Sequence, residues 1–269
     1  MRLLLATGLL LLLGSGCTSA RVNPVPAPAH VERPAAFAHD DFTAVLAAVV
    51  NDSGRVNYAA LQDGRLVPYL NRLAATDPSA LPEPERIAFW INAYNATTLK
   101  LVTDNYPTAS ILRLTPVGIA GIPLTIPGTS NSPFRLKAGR VAGRLMTLDA
   151  IEHDTLRGRY REPRIHAALV CAAVSCPPLR REAYTGATLD AQLDDQMRRW
   201  LKDPSKNRVT NREAALSPIF SWFKADFGGT DASVQRFVAP YFDGGVRVSL
   251  EHARLPVRYL GYNWDLNGQ

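Results

Sequence analysis

The chain has 269 residues, of which 46% are apolar and 20% charged, and this composition excludes a disordered chain, a coiled coil and a collagen-like repeat. The net charge of +6 is scattered, with no basic run longer than two or three residues, so a nucleic-acid partner is not indicated. Three cysteines are too few for a disulfide-dense scaffold. We therefore expect a globular protein with a sizeable core.

Residues 1–16 have the pattern of a signal peptide. The apolar run from Leu3 to Leu13 would span only about 16 Å as a helix, which is half of a bilayer core. The small residues Gly14 to Gly16 before Cys17 resemble the lipobox of bacterial lipoproteins, although Gly14 stands where that motif usually has leucine. An ordinary secretory signal with an incidental cysteine is the alternative. The lipobox interpretation predicts an exported protein whose partner is the membrane, through a lipid anchor on Cys17.

Two features after Cys17 refine this prediction. Thr18 stands where an aspartate would retain a lipoprotein at the inner membrane in the bacterial sorting pattern, so we expect the periplasmic side of the outer membrane. Residues 17–39 hold four prolines and many alanines, which predicts an extended, lipid-linked tether that does not pack. The folded domain is then predicted to comprise residues 40–269.

Periodic apolar residues predict three helices in the first part of this domain. Asp40 or Asp41 caps a helix, and a second one ends at Asp77; their apolar faces hold Phe42, Val45, Leu46 and Val49, and Leu66, Tyr69, Leu70 and Leu73. Residues 84–102 are apolar nearly all round, which is typical of a central, buried helix. Asn92 and Asn95 therefore point into the protein, where they either hold loop backbone or, with Trp90, line a binding cleft.

The remaining sequence alternates helices with short strands. Residues 106–145 predict loops and short strands, and residues 147–159 a capped helix. The near-continuous apolar run at 164–171 is suited to a buried strand, and residues 189–201 predict a further helix. The sequence thus predicts one α+β domain with a central buried helix and a small mixed or antiparallel sheet.

Five motifs in this order resemble the family known as domain of unknown function 547, which occurs in bacteria and plants. The resemblance covers residues 40–269 and implies a relation to papain-like or transglutaminase-like cysteine enzymes. Plant members resemble the chain at Glu152, His153, His166 and Cys171 and commonly lack a cysteine at the position of Cys176. Ala172 stands where the family often has glycine. The motifs are FWINAYNA (89–96), LDAIEHDTLR (148–157), IHAALVCAAVSCPPL (165–179), LSPIFSWFKADF (216–227) and YNWDLN (262–267).

The residues for cysteine catalysis lie between Glu152 and Cys176. Such catalysis needs a thiolate, a histidine that creates it and a group that orients the imidazole. Cys171 is the better nucleophile, because Pro177 and Pro178 deprive Cys176 of backbone N–H donors. A regular strand places His166 and Cys171 on opposite faces, so His166 can serve Cys171 only if the strand bends or ends before the cysteine. His153 on the preceding helix has no such restriction, so both histidines are candidate partners, with Glu152 orienting the imidazole.

Alternatives to catalysis remain open. In an oxidising compartment Cys171 and Cys176 would form a disulfide, Glu152 and His153 could make surface pairs, and His166 could be a core histidine. No spacing typical of a metal or nucleotide site occurs, so no metal or cofactor is expected. Two functions follow: an envelope thiol hydrolase or acyltransferase acting on a peptide through Cys171, or a non-catalytic lipoprotein that binds a peptide or glycan near Asn92, Asn95 and Trp90.

Overall fold

The architecture is known from a computed structural model that describes residues 20–115 and 132–269. The predicted signal peptide and Cys17 lie outside these residues. Eight α-helices and a π-helix occur in the described part of the chain: α1 (Asp40–Val49), α2 (Val67–Ala75), α3 (Glu83–Asp104), the π-helix (Ala150–Arg157), α4 (Ile165–Ala168), α5 (Leu189–Lys202), α6 (Ile219–Trp222), α7 (Asp231–Val238) and α8 (Gly244–Glu251). Short 3₁₀ turns connect several of them.

The long helix α3 is the centre of the fold, as the sequence predicts. Glu83 and Glu85 lie in its first turn, where negative charge is favourable, and Pro84 occupies a position that needs no N–H donor. From Ile87 to Leu99 every residue of the helix is buried. Helices α2 and α5, the π-helix and the strand Gly139–Val141 all pack against it.

Two small sheets complete an α+β fold. Strand β1 (Gly139–Val141) pairs with β2 (Arg144–Met146) in an antiparallel hairpin. Strand β4 (Ala214–Leu216) lies between β3 (Arg208–Val209), which is antiparallel to it, and β5 (Val257–Tyr259), which is parallel. The sheets are therefore antiparallel and mixed, as predicted. The second sheet lies beside a smaller apolar core, in which Trp200 stacks on Phe220 with ring centroids 4.7 Å apart.

The segment 164–171 differs from the predicted strand. Residues Ile165–Ala168 form the short helix α4, and the chain becomes extended only at Leu169. A short apolar run fits a buried helix as well as a buried strand, so periodicity alone could not separate them. His166 and Cys171 are therefore not placed on opposite faces of a strand.

Residues 20–39 are extended, as their prolines predict, but they pack on the domain instead of remaining free. Val25 is buried, and the Arg21 N–H donates to Asn105 Oδ1 at 2.7 Å. Glu32 forms a parallel bridge with Thr76. Prolines prevent a helix but leave carbonyls and the remaining N–H groups free to bond the domain. No helix within the described ranges combines the length and apolar character needed to cross a membrane.

Candidate active site

One cavity of about 310 Å³ gathers all four side chains for which the sequence predicts a catalytic role: Glu152, His153, His166 and Cys171. The π-helix supplies Glu152 and His153, α4 supplies His166, and the extended residues after α4 supply Cys171. Its walls are largely aromatic, formed by Tyr94, Phe134, Trp222, Phe223, Tyr262 and Trp264. Segments far apart in sequence therefore meet at this cavity.

The imidazole of His166 is held by Asp226. Its Nε2 lies 2.7 Å from Asp226 Oδ2, and its ring stacks on Phe223 with centroids 4.2 Å apart. Hydrogen bonds from His166 and from Arg157 hold the pKa of Asp226 well below its usual range, so this carboxylate is an acceptor only. Nε2 must then carry the proton of the neutral ring, which leaves Nδ1 as the basic nitrogen.

Glu152 faces the other nitrogen of the same ring. Its Oε1 lies 4.0 Å from His166 Nδ1, and its side chain is only 13% exposed. Burial raises the pKa of Glu152 to about 7, an effect that Arg157 opposes. Burial lowers the pKa of His166, an effect that Asp226 opposes. The carboxyl with a raised pKa and the imidazole with a lowered pKa thus lie 4.0 Å apart, beyond direct hydrogen-bond distance, an arrangement suited to acid–base chemistry on a molecule bound in the cavity.

The role of orienting the imidazole, which the sequence predicts for Glu152, is filled by Asp226. Asp226 lies 60 residues from His166 in sequence, so spacing could not identify it; the only indication was a charged residue inside the apolar motif 216–227. His153 has a different environment, because its Nδ1 lies 3.0 Å from Arg157 Nη1 and burial lowers its pKa. Between the two candidates, the geometry favours His166 as the base.

Cys171 and Cys176 are joined by a disulfide. The hydroxyl of Tyr262 lies 3.2 Å from the Cys171 sulfur and 3.3 Å from the Cys176 sulfur. Among the described residues, neither histidine hydrogen-bonds either sulfur. Tyr262 belongs to the C-terminal motif 262–267, to which the sequence analysis gave no chemical role. A thiol role for Cys171 in this cavity therefore requires reduction of the disulfide.

Asn92, Asn95 and Trp90 lie outside this cavity, contrary to the predicted binding cleft. The Asn92 amide bonds the backbone of Tyr184 in both directions, at 2.7 and 3.0 Å. The Asn95 amide donates to Ala168 O and accepts from Val170 N, both at 3.0 Å. Each buried amide thus holds backbone of a neighbouring segment, which is the alternative that the sequence left open, and Asn92 Nδ2 also lies 3.1 Å from His39 Nδ1.

A metal site has no support in the described residues, where no cluster of three or more His, Cys, Asp and Glu side chains is arranged to hold an ion. The remaining charged groups of the cavity are Arg135 and Asp149, which form an ion pair at 3.1 Å. The arrangement thus offers an acid, a base and a closed disulfide beside aromatic walls.

Comparison with known proteins identifies one family. A family model described as "Protein of unknown function, DUF547" matches residues 78–201, so the resemblance that the motifs predict is confirmed over that range. The matched residues include Glu152, His153, His166 and both cysteines, whereas Asp226 and Tyr262 follow them in sequence. The chain matches no curated protein and no solved structure. A relation to papain-like or transglutaminase-like enzymes stays a prediction.

Proposed function

We propose that the cavity is the active site of a hydrolase or acyltransferase in which reduced Cys171 is the nucleophile. The observation that supports this most is that Cys171, His166 and Glu152 line the same cavity, although they come from three separate segments. A buried carboxyl with a strongly raised pKa in a cleft is a recognised mark of a functional site.

The proposed mechanism assigns each group one task. His166, fixed by Asp226, accepts the thiol proton of Cys171 through its free Nδ1. Glu152 is partly protonated near neutral pH and supplies a proton to the leaving group. The aromatic walls exclude water and favour an acyl group that carries an apolar or flat side chain, as a peptide does.

Alkylation kinetics test this mechanism without a known substrate. The Cys176→Ser variant leaves Cys171 as a free thiol, and its reaction with iodoacetamide is followed against pH by mass spectrometry. We expect the midpoint to lie below the value of about 8.5 for an unperturbed cysteine. Adding His166→Asn should return the midpoint toward that value, whereas His153→Asn should move it less. Alkylation midpoints at the same pH in all three variants would show that neither histidine is the base.

A second candidate, non-catalytic binding of a peptide or glycan, is favoured by one observation. Trp222 is 51% exposed at the cavity, and its ring stacks on that of Trp264 with centroids 5.9 Å apart. Flat exposed aromatic faces are common in binding sites for such ligands. Calorimetry with peptidoglycan fragments distinguishes the candidates: binding that Trp222→Ala abolishes and Cys171→Ala preserves, with no turnover, would support this function instead.

We also propose that the protein is exported and held by a lipid on Cys17 at the periplasmic side of the outer membrane. The support is the apolar run before residues 14–17, the small residues there and the threonine that follows the cysteine.

A further inference from the structure

The two sulfurs of the disulfide have unequal surroundings. Cys171 is partly exposed and lines the cavity of about 310 Å³. Cys176 is only 1% exposed; it also borders a separate cavity of about 190 Å³, but at that exposure its sulfur is closed to an incoming thiol. A nucleophile in solvent can therefore reach the bridge through the Cys171 sulfur alone.

The buried sulfur is surrounded by hydrogen-bond donors. The backbone N–H groups of Cys171 and Ala173 point at the Cys176 sulfur, with N···S distances of 3.1 and 3.4 Å. The Tyr262 hydroxyl lies 3.3 Å from it, and burial raises the pKa of Tyr262, so this hydroxyl keeps its proton. A thiolate accepts such bonds far more strongly than a disulfide sulfur does. These contacts therefore favour the reduced, anionic form of Cys176.

The donors are held in place independently of the disulfide. Ala172 adopts a left-handed conformation with φ of +63°, which turns the backbone between Cys171 and Ala173. The C-terminal segment pins this turn, because Asn267 N donates to Ala172 O at 3.0 Å and Val174 N donates to Asp265 O at 2.8 Å. Opening the bridge removes none of these bonds, so the N–H groups remain directed at the sulfur.

We infer that the Cys171–Cys176 pair is a thiol–disulfide exchange site for a small thiol or a dithiol protein. The thiolate of the partner attacks the Cys171 sulfur and forms a mixed disulfide, while the S–S bond breaks and Cys176 leaves as a thiolate. A second thiolate then attacks the mixed disulfide and releases Cys171. Two partner thiols are oxidised to a disulfide and the protein disulfide gains two electrons. The reverse sequence oxidises a partner.

This inference goes beyond the proposed hydrolase and does not rest on it, because thiol exchange needs neither His166 nor Glu152. A structural disulfide resists reduction because its leaving thiolate has no special stabilisation, whereas a stabilised leaving thiolate leaves faster and makes the bridge more oxidising. The tests accordingly measure thiols and disulfides, and their outcome is independent of any hydrolytic activity.

Variants that each keep only one of the two bridge cysteines identify the sulfur that is attacked. In Cys176→Ser, Cys171 should react with the aromatic disulfide DTNB in the folded protein and form a mixed disulfide. In Cys171→Ser, Cys176 should react only after unfolding. Equal reactivity of the two variants, or faster reaction of Cys176, would overturn the inference. If a variant fails to fold, wild-type protein reduced and treated with limiting iodoacetamide gives the same information, with the first label expected on Cys171.

Equilibration in glutathione buffers tests the stabilised thiolate. We expect millimolar reduced glutathione to open the bridge while the near-ultraviolet circular dichroism of the folded protein persists. Tyr262→Phe removes one donor and should shift the equilibrium toward the disulfide by about tenfold, which corresponds to about 30 mV. Tyr259→Phe is the matched control, since its hydroxyl bonds Asp231, and should leave the equilibrium unchanged. A bridge that opens only when the protein unfolds would show a structural disulfide.

Discussion

At the scale of single residues, two carboxyl groups beside His166 differ in charge state because they have different partners. Asp226 receives hydrogen bonds from His166 and from the guanidinium of Arg157, and it stays ionised. Within residues 20–115 and 132–269 no cation hydrogen-bonds Glu152, and the carboxyl is buried, so its charged form is disfavoured. The same imidazole lies between them. Asp226 holds the ring by a hydrogen bond, whereas Glu152 lies 4.0 Å from it and is favoured in its protonated form, a difference that follows from environment and not from residue type.

The raised pKa of Glu152 predicts a measurable dependence of stability on pH. Burial raises the pKa of Glu152 from 4.5 in the unfolded chain to about 7 in the folded protein. The contribution of this group to the free energy of unfolding is therefore fully present below about pH 4.5 and is lost as the pH rises to 7. The total loss is on the order of 3 kcal/mol. Glu152→Gln cannot ionise, so its stability relative to wild type should increase between these two pH values and level off above pH 7.

Urea unfolding followed by circular dichroism at several pH values measures this difference. Glu32→Gln is the matched control, because Glu32 is exposed and does not line the cavity. A stability difference between Glu152→Gln and wild type that stays constant across the whole pH range would contradict the buried, protonated carboxyl.

The candidate site could be predicted from the sequence only in part. Residue chemistry pointed to Glu152, His153, His166 and Cys171, and all four line one cavity. Asp226 could not be identified, because it approaches His166 through a turn 60 residues later in the chain. Three-dimensional partners of this kind leave no local pattern, whereas the chemistry of a histidine or a cysteine is visible in its identity alone.

At the scale of secondary structure, α3 positions the segment that carries the site. Asn95 lies in the buried middle of this helix and bonds both Ala168 O and Val170 N, at the point where α4 ends and the extended segment leads to Cys171. The amide thus substitutes for the backbone partners that a strand would have given these two groups. Helix α3 thus fixes the direction in which the chain leaves α4 and leads to Cys171.

Asn95→Leu should therefore destabilise the protein. The substitution leaves two buried backbone groups without partners, and each such loss costs about 1–3 kcal/mol. In a domain of this size, each 1 kcal/mol lowers Tm by about 2–4 °C. Thermal unfolding measures the change, and Asn211→Leu is the matched control because Asn211 is exposed. A Tm of Asn95→Leu equal to that of the control would show that these bonds contribute nothing.

Elements with a long apolar pattern were predictable, and short ones were not. The sequence predicts the central helix at 84–102, and the structure has it at Glu83–Asp104, because nineteen residues of one pattern leave little choice. Residues Ile165–Ala168 give three apolar positions and His166, a pattern that fits either element, and their helix is determined by the packing of α4 on α5. Tertiary contacts decide such short segments.

At the scale of the whole molecule, the proposed lipid anchor predicts a labelling result. A palmitate analogue supplied to an expressing bacterium should label the wild-type protein, because the lipobox-like residues 14–17 predict acylation of Cys17. Cys17→Ala should abolish the label and release the protein from the membrane fraction. Labelling that survives this substitution would refute the anchor, and secretion of unlabelled wild type would support an ordinary signal peptide.

The packed N-terminal segment predicts how the domain is held if that anchor exists. Ala20 is the third residue after Cys17, and its N–H donates to Thr115 O at 3.0 Å. Three residues reach at most about 11 Å, so the domain would lie against the membrane instead of moving on a long tether. The Arg21 backbone is held by both groups of the Asn105 amide, at 2.7 and 2.8 Å.

Trypsin distinguishes a packed segment from a free one, because cleavage after Arg21 requires the surrounding backbone to leave the domain surface. We expect slow cleavage there in the folded wild type. Asn105→Ala removes the two bonds to Arg21 and should accelerate cleavage several-fold, whereas Asn211→Ala, which alters an exposed side chain elsewhere, should not. Rapid cleavage after Arg21 in wild type, at the rate of an unfolded peptide, would show that this segment is a free tether, as the proline content predicts.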